Sequence, residues 1–91
     1  MKLMSKHWLI IAIDYYTATK WAAANKWQFH IGSAWTKNKS KLNYVHSKES
    51  FMNRHKETKV YLHESWNRRP DRDELANEML NKSMEVESVS D

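Results

Sequence analysis

Lysine side chains alternate along one polar segment of this 91-residue chain, close to two aromatic residues. Lys37, Lys39 and Lys41 lie between Trp35 and Tyr44 in the sequence. Lysine ammonium groups bind the phosphates of nucleic acids, and exposed aromatic rings stack on unpaired bases. We therefore predict that Trp35 and these three lysines contribute to a nucleic-acid-binding surface.

A second basic group follows Trp66 and consists of Arg68 and Arg69. We assign both arginines to the same predicted surface, because guanidinium groups bind phosphate well. In the alternative interpretation, the lysines keep a small aromatic protein soluble and the tryptophans belong to its core. The sequence leaves both interpretations open.

Charge is divided unevenly along the chain. Residues 1–69 carry 10 Lys and 3 Arg against 4 acidic residues, whereas residues 70–91 carry 2 basic and 7 acidic residues. This distribution predicts a basic body and an acidic tail. The tail either competes with nucleic acid for the basic surface or simply solvates the end of the chain.

The remaining polar residues form no catalytic or metal-binding motif. The chain has no cysteine, one glycine and five histidines without metal-ligand spacing, so we expect neither a thiolate zinc site nor a glycine-rich phosphate loop. Glu64, at the end of a predicted strand, is a weak candidate for a metal ligand, and a solvent-facing role is favoured for it. We expect no catalytic residue and no bound cofactor.

Strands and helices must position these residues. Residues 8–13 are an unbroken apolar run, which predicts a strand buried on both faces. Residues 20–29 are predicted to form the second strand of a β-hairpin, although their consecutive alanines also suit a helix. Residues 36–43 are polar and lack periodicity, which predicts an exposed loop.

The second half of the chain predicts the order helix, strand, helix. Residues 47–56 are predicted to be helical with Ser47 as the N-cap, and residues 59–63 alternate as a strand does. Asp71 opens a capping box before the last helix. We predict one small domain over residues 1–84 and a disordered acidic tail over residues 85–91.

The first apolar segment resembles the integrase core of retroviruses and long-terminal-repeat retrotransposons. In that family an Ile/Val-rich strand ends in Asp-Tyr-Phe-Thr-Lys-Trp. Here Ile13 is followed by Asp14, Tyr15, Tyr16 and Thr17, and after two inserted residues the pattern resumes with Lys20 and Trp21.

A second match supports the resemblance. The family runs from a helix through Arg-His-Gly and a strand to Ser-Asp-x-Gly, and this chain offers Phe51, Arg54, His55, residues 59–62, His63, Glu64, Ser65 and Trp66. In a rival register, the family's later His-Pro-x-x-Asn-Gly-x-Val-Glu motif matches His63, Glu64, Ser65, Asn67 and Asp71.

The resemblance implies an α+β fold, a truncated ribonuclease H-like fragment in which a β-hairpin is followed by helix, strand and helix. It also implies phosphoryl transfer with Mg²⁺ ions held by three carboxylates. The strand that would carry the first carboxylate is missing, and Glu64 replaces the second, an aspartate. We therefore expect a degenerate integrase-core fragment without catalytic competence that retains weak, non-specific nucleic-acid binding. Without that strand, the strand over residues 59–63 must either pair directly with the strand over residues 8–13 or leave a gap in the sheet. Such a gap would expose a sheet edge and favour self-association through it.

A different class of function stays open. The chain is alternatively a small protein-interaction module, in which Leu75, Met79 and Leu80 dock onto a partner, or a young open reading frame with no selected biochemical activity. The apolar run is too short to span a bilayer and has no signal-peptide cleavage site, so we expect no membrane partner. The composition predicts an intracellular protein, nuclear or cytoplasmic.

Overall fold

The computed structural model describes residues 6–30, 34–52 and 59–91. They form an α+β fold with one mixed six-stranded sheet, in the order β2-β3-β4-β1-β5-β6, and two α-helices. The strands are β1 (Lys6–Ile11), β2 (Gln28–His30), β3 (Ala34–Lys37), β4 (Ser40–Tyr44), β5 (Lys59–His63) and β6 (Glu85–Val89). The α-helices are α1 (Tyr15–Ala24) and α2 (Arg72–Asn81), and two 3₁₀ segments span Lys48–Phe51 and Glu64–Arg68.

Strand β1 lies in the middle of the sheet and is parallel to β4 on one side and to β5 on the other. Strand β6 extends the parallel part beyond β5, whereas β2 and β3 complete the other side in antiparallel pairing. The carboxyl ends of β4, β1, β5 and β6 therefore share one edge of the sheet, the carboxyl edge. We call the opposite edge the amino edge.

Both faces of β1 and its end are covered from Leu9 to Ala12, which explains the unbroken apolar run there. Leu9 and Ile11 point into a mainly aliphatic core with α2, and Ile10 and Ala12 point into a second core with α1. The second core is aromatic. Its rings are Trp21, Trp27 and Trp35, with Trp8, Tyr15, Tyr44 and Tyr61 packed against them. The predicted strand over residues 8–13 is confirmed, with bounds two residues earlier at Lys6–Ile11.

The segment after β1 is helix α1, so the predicted second strand of an N-terminal hairpin is wrong. The Asp14 carboxylate caps the helix by accepting the Thr17 N–H at 2.8 Å. Ala18, Trp21 and Ala22 are buried, with the i, i+3, i+4 spacing of a helical apolar face. The helix propensity of the alanines, which the sequence had left as an alternative, prevails.

A β-hairpin does form, but in the segment predicted to be a loop. Strands β3 and β4 pair in antiparallel fashion from Lys37↔Ser40 to Ala34↔Asn43. Asn38 and Lys39 are the two turn residues, with φ angles of 51° and 68°. Positive φ at both central residues is the signature of a type I′ turn, whose twist matches that of the flanking strands. The polar composition hid the hairpin because its outward face carries lysine and asparagine.

The predicted helix over residues 47–56 is described only in part. A 3₁₀ turn spans Lys48–Phe51, and Ser47 caps it as predicted by accepting the Glu49 N–H at 3.3 Å. Residues 53–58, which include two residues of the second integrase-like match, lie outside the described residues.

Strand β5 and helix α2 are confirmed close to their predicted positions. Asp71 is the N-cap residue of α2, but its side chain makes no capping hydrogen bond and binds Arg69 instead. Strand β5 pairs directly with β1, so the sheet has no gap where the resemblance had implied a missing strand. The outer strands of the described sheet are β2 and β6.

The predicted disordered tail is wrong over residues 85–89. These residues form β6, which pairs in parallel with β5 from Lys59↔Glu85 to His63↔Val89. An ion pair of 2.7 Å between Lys59 and Glu87 joins the two strands. The exposed acids Glu85 and Glu87 suit an outer strand, because charged side chains on an outer strand discourage pairing with other chains.

Candidate functional site

The sheet separates the two basic groups that the sequence had placed on one surface. Lys37, Lys39 and Lys41 lie on the β3–β4 hairpin, whose turn precedes β4 at the amino edge. Arg68 and Arg69 follow β5 and lie at the carboxyl edge. The predicted nucleic-acid-binding surface is therefore divided between opposite edges.

Trp35 lies in the aromatic core and is not available for base stacking. Its side chain is 2 % exposed, and its ring stacks on Tyr15 with 5.5 Å between the ring centroids. The alternative interpretation, a core tryptophan, describes its position. The register explains this burial, since Trp35 pairs with Leu42, another residue of the same core.

Arg69 is also committed to the fold. It is 7 % exposed and donates hydrogen bonds to the carbonyl oxygens of Ala12, Val45 and His46, and to the carboxylate of Asp71 at 2.9 Å. The guanidinium thus ties the carboxyl ends of β1 and β4 to the start of α2. A phosphate would have to displace these partners, so Arg69 does not serve as a free phosphate ligand.

Three of the chain's lysines meet at the amino edge. Lys26, Lys37 and Lys39 line a depression of about 270 Å³, which we call the lysine depression. Its other lining residues are Gln28, Thr36 and Asn38. Lys37 Nζ donates to the Asn25 carbonyl oxygen at 2.9 Å. An ammonium group has three donors, so Lys37 can also bind an anion.

The strand order converts the charge asymmetry of the sequence into a spatial one. Residues 26–44, which hold β2, β3 and β4, contain four lysines and no acid. Residues 59–91, which hold β5, α2 and β6, contain eight acids and five basic residues. These groups lie on opposite sides of β1. We call them the basic half and the acidic half.

A second concave site lies at the carboxyl edge, between β1 and β5. Helix α1 follows β1 on one face of the sheet and α2 follows β5 on the other. Adjacent parallel strands whose connections leave on opposite faces open a crevice at their carboxyl ends, where ligands often bind. The crevice measures about 350 Å³ and is lined by Tyr16, Thr17, Lys20, His63, Glu64, Ser65, Arg68 and Asp91. We call it the carboxyl-edge cleft.

His63 is the most buried polar residue of this cleft, with 2 % of its surface exposed. Its Nδ1 atom accepts the Ser65 N–H at 3.1 Å and lies 2.8 Å from Ser65 Oγ. Its Nε2 atom lies 3.0 Å from Asp91 Oδ1. Because Nδ1 accepts a backbone hydrogen bond, the ring proton belongs on Nε2, from which it is donated to Asp91.

Ser65, His63 and Asp91 form a continuous chain of hydrogen bonds, but this arrangement does not present a nucleophile. Ser65 is 5 % exposed, and its Oγ accepts the backbone N–H of Ile13 at 2.9 Å. Its burial and the hydrogen bond from Ile13 hold the hydroxyl inside the fold, where a substrate cannot approach it. Ser65 therefore links the end of β5 to the end of β1 and fixes the His63 ring.

Glu64, the weak metal-ligand candidate of the sequence, is exposed beside this network. Ligand atoms of His63, Glu64 and Asp91 all lie within 4.8 Å of one another. We call these three residues the histidine–carboxylate cluster. The sequence did not indicate His63 or Asp91 as ligands, because their 28-residue separation carries no motif and Asp91 fell in the predicted tail.

Hydrogen bonding and burial shift several pKa values near the two halves. A hydrogen bond to Glu87 raises the pKa of Lys59 above its ordinary value of 10.5. Burial raises the pKa of Tyr44 and of Tyr61 above 10.0. At neutral pH Lys59 therefore stays charged and both phenols stay protonated.

No protein-family model, curated protein or solved structure matches this chain. The integrase resemblance therefore rests on the sequence motifs alone. Within the described residues, neither α-helix is long and apolar enough to cross a membrane.

The apolar stripe proposed for partner docking is mostly internal. Leu75 and Met79 pack into the aliphatic core, whereas Leu80 is 78 % exposed.

Proposed function

We propose that this chain binds the phosphate backbone of nucleic acid through the lysine depression and the adjoining basic half. The observation that carries the proposal is the strand order, which gathers four lysines and no acid on one side of β1. Residues 26–44 therefore offer a polyanion four positive charges and no negative one, while the acidic half repels it. Such a charge distribution both attracts and orients a nucleic acid.

A polar row of side chains extends the lysine depression across the sheet. The strand registers align Gln28, Thr36, Lys41 and His7 on neighbouring strands. Gln28 and His7 are exposed, and the other two are half-buried. Hydroxyl, amide and ammonium groups of this kind contact phosphate oxygens without reading the base sequence.

The number of lysines determines the expected affinity for DNA and its dependence on salt. Three or four lysines can neutralise roughly three or four phosphates, which for duplex DNA gives a slope of log K against log[salt] of about −3 to −4. We expect weak, salt-sensitive binding without sequence preference. Descent from an integrase core and loss of catalysis stay predictions, and so do the interaction module and the young open reading frame.

The test is fluorescence anisotropy of labelled double-stranded DNA across a range of salt concentrations. The variant carries Lys26→Asn, Lys37→Gln and Lys39→Asn together. Asparagine tolerates the positive φ angles of Lys26 and Lys39, 72° and 68°, so the backbone should keep its conformation. At low salt we expect this variant to bind DNA more weakly than the parent. The slope of its log K against log[salt] should be less steep by up to about three.

A charge-matched control carries Arg68→Gln, Arg72→Gln and Lys82→Gln in the acidic half. It loses three positive charges, as the first variant does, but should retain DNA affinity close to that of the parent. Equal losses in the two variants would show that only net charge matters and would reject the proposed surface. Absence of DNA binding by the parent at low salt would reject nucleic-acid binding altogether.

A further inference from the structure

We propose that His63, Glu64 and Asp91 bind a divalent transition-metal ion in the carboxyl-edge cleft. This site lies at the opposite edge of the sheet from the lysine depression and is independent of nucleic-acid binding. It combines one imidazole nitrogen with two carboxylates, and it draws them from two chain segments, the end of β5 and the residues that follow β6.

The distances suit a small ion. Metal–ligand bonds of about 2.1 Å place neighbouring ligand atoms about 3.4 Å apart at the tetrahedral angle of a zinc site. His63 Nε2 and Asp91 Oδ1 are already separated by 3.0 Å. The Glu64 carboxylate lies within 4.8 Å of the other two ligand atoms. Because Glu64 is exposed, its carboxylate can move closer to them without disturbing the core.

Ser65 prepares His63 for coordination. A metal ion on Nε2 requires the ring proton on Nδ1, and Ser65 Oγ, 2.8 Å from Nδ1, can accept that proton in a hydrogen bond. The Ser65 N–H then loses Nδ1 as its acceptor, a cost that the free energy of metal binding must exceed. The hydroxyl can reorient for this exchange, since it serves either as donor or as acceptor. Ile13 N–H holds Ser65 Oγ in place at 2.9 Å. Outer partners of this kind orient a metal-binding histidine.

The ligand chemistry selects the metal. Imidazole nitrogen favours Zn²⁺ and its neighbours in the first transition row, whereas Mg²⁺ and Ca²⁺ favour sites made only of oxygen. We therefore expect Zn²⁺ to bind most tightly, Mn²⁺ more weakly, and Mg²⁺ and Ca²⁺ hardly at all.

Two cations share the cleft and oppose a bound ion. Lys20 and Arg68 line the same space as the two carboxylates. Both side chains are exposed and can turn toward solvent. Their charge should weaken metal binding modestly, so Arg68→Gln should tighten Zn²⁺ binding by a factor of about two to three, as expected for a partly screened charge.

The test is calorimetric titration of the full chain with Zn²⁺ alone, repeated with Mn²⁺ and with Mg²⁺. Glu64→Gln and Asp91→Asn remove one carboxylate each at exposed positions, so both variants should fold. We expect one Zn²⁺ per chain, and each variant should weaken binding roughly tenfold or more. Zn²⁺ should also raise the melting temperature of the parent and leave that of either variant nearly unchanged.

Two controls separate this site from adventitious binding. His46→Gln removes an exposed histidine elsewhere, and Glu85→Gln removes an exposed acid on β6. Both should bind Zn²⁺ as the parent does. The proposal is overturned if Glu64→Gln and Asp91→Asn retain the affinity of the parent, if His46→Gln loses as much as they do, or if Mg²⁺ binds as tightly as Zn²⁺.

Discussion

The acidic half and the basic half of the sheet use charge in different ways. Three ion pairs found among the described residues, Lys59–Glu87, Arg69–Asp71 and Arg72–Asp73, and the His63–Asp91 hydrogen bond all join residues of the acidic half. The lysines of residues 26–44 have no acidic neighbour in their own segment to pair with. Charge in the acidic half supports the fold, whereas charge in the basic half stays available for a partner.

The way the two halves are built explains this difference. In the acidic half, parallel strands β5 and β6 need a crossover through α2, and charged side chains fix the crossover at both ends. In the basic half, a tight two-residue turn connects β3 and β4 without help from side-chain ion pairs. The lysines there are not needed to hold the strands together.

The largest loss of stability is expected from a substitution at Arg69 in the acidic half. Replacing Arg69 with methionine leaves the carbonyl oxygens of Ala12 and Val45 without their buried donor. Loss of one partner from a buried charged network typically costs about 3–5 kcal/mol. We expect the free energy of unfolding, measured by urea denaturation, to fall by about this amount.

Arg68→Met is the matched control for that substitution. Arg68 is the preceding residue and is exposed, so its loss should change the free energy of unfolding by no more than about 0.5 kcal/mol. Similar losses at both positions would contradict the structural role assigned to Arg69.

The next effect concerns β6, for which the sequence predicted disorder. Ending the chain at Met84 removes the β5–β6 ladder and the partners of Lys59 and His63. With net hydrogen-bond contributions of about 1 kcal/mol each, the free energy of unfolding should fall by about 2–4 kcal/mol. If residues 85–91 were frayed, the truncated chain would have the same urea midpoint as the parent.

A double variant, Glu85→Gln with Glu87→Gln, separates the contribution of β5–β6 pairing to stability from that of the acidic charges. It keeps β6 but removes two acids from the acidic half. It should lose less than about 1 kcal/mol, because exposed ion pairs contribute little. A loss as large as that of the truncation would assign the stability to charge and not to the ladder.

A smaller effect is expected in the turn of the basic half. Lys39 has a φ angle of 68°, which glycine adopts without steric cost. Lys39→Gly should therefore raise the free energy of unfolding by about 0.4–1 kcal/mol while weakening DNA binding. Lys37→Gly, in strand β3, should weaken both stability and binding. A stabilised variant with unchanged DNA affinity would remove Lys39 from the proposed surface.

The smallest effect is a pH dependence at the start of α1. The side-chain hydrogen bond with Thr17 lowers the pKa of Asp14 below its ordinary value of 3.8. A carboxyl whose pKa is lower in the folded state stabilises the protein above the unfolded pKa, and this contribution disappears as the pH falls through the folded pKa. Asp14→Asn should thus lower the melting temperature at neutral pH and hardly change it well below pH 3.8. A difference that persists at the lowest pH would indicate another cause.

The sequence predicted those elements whose own pattern was decisive. The β1 run, the alternation in β5 and the amphipathic α2 lie close to their predicted positions. The hairpin was misplaced because residues 20–24 suit helix and strand alike, and the Asp14 cap with the buried Trp21 face decides for a helix. Strand β6 was missed because a short acidic segment becomes a strand only when β5 offers it a partner.

The candidate sites were predictable to different degrees. The lysines of the β3–β4 hairpin were visible from sequence because a basic surface needs only charge and exposure. The roles of Trp35 and Arg69 were not, since the burial of Trp35 follows from its register with Leu42, and that of Arg69 from carbonyl groups 24 and 57 residues away. The histidine–carboxylate cluster likewise depends on strand pairing that brings Asp91 to His63.

The most direct test of the account is an NMR titration of the isotope-labelled chain with a short DNA duplex at low salt. We expect backbone amide shifts to change in the basic half, at residues 26–30 and 34–44, and those of residues 85–91 hardly to respond. Shift changes centred on residues 63–68 and 85–91, or spread evenly over the chain, would contradict the assignment of binding to the basic half.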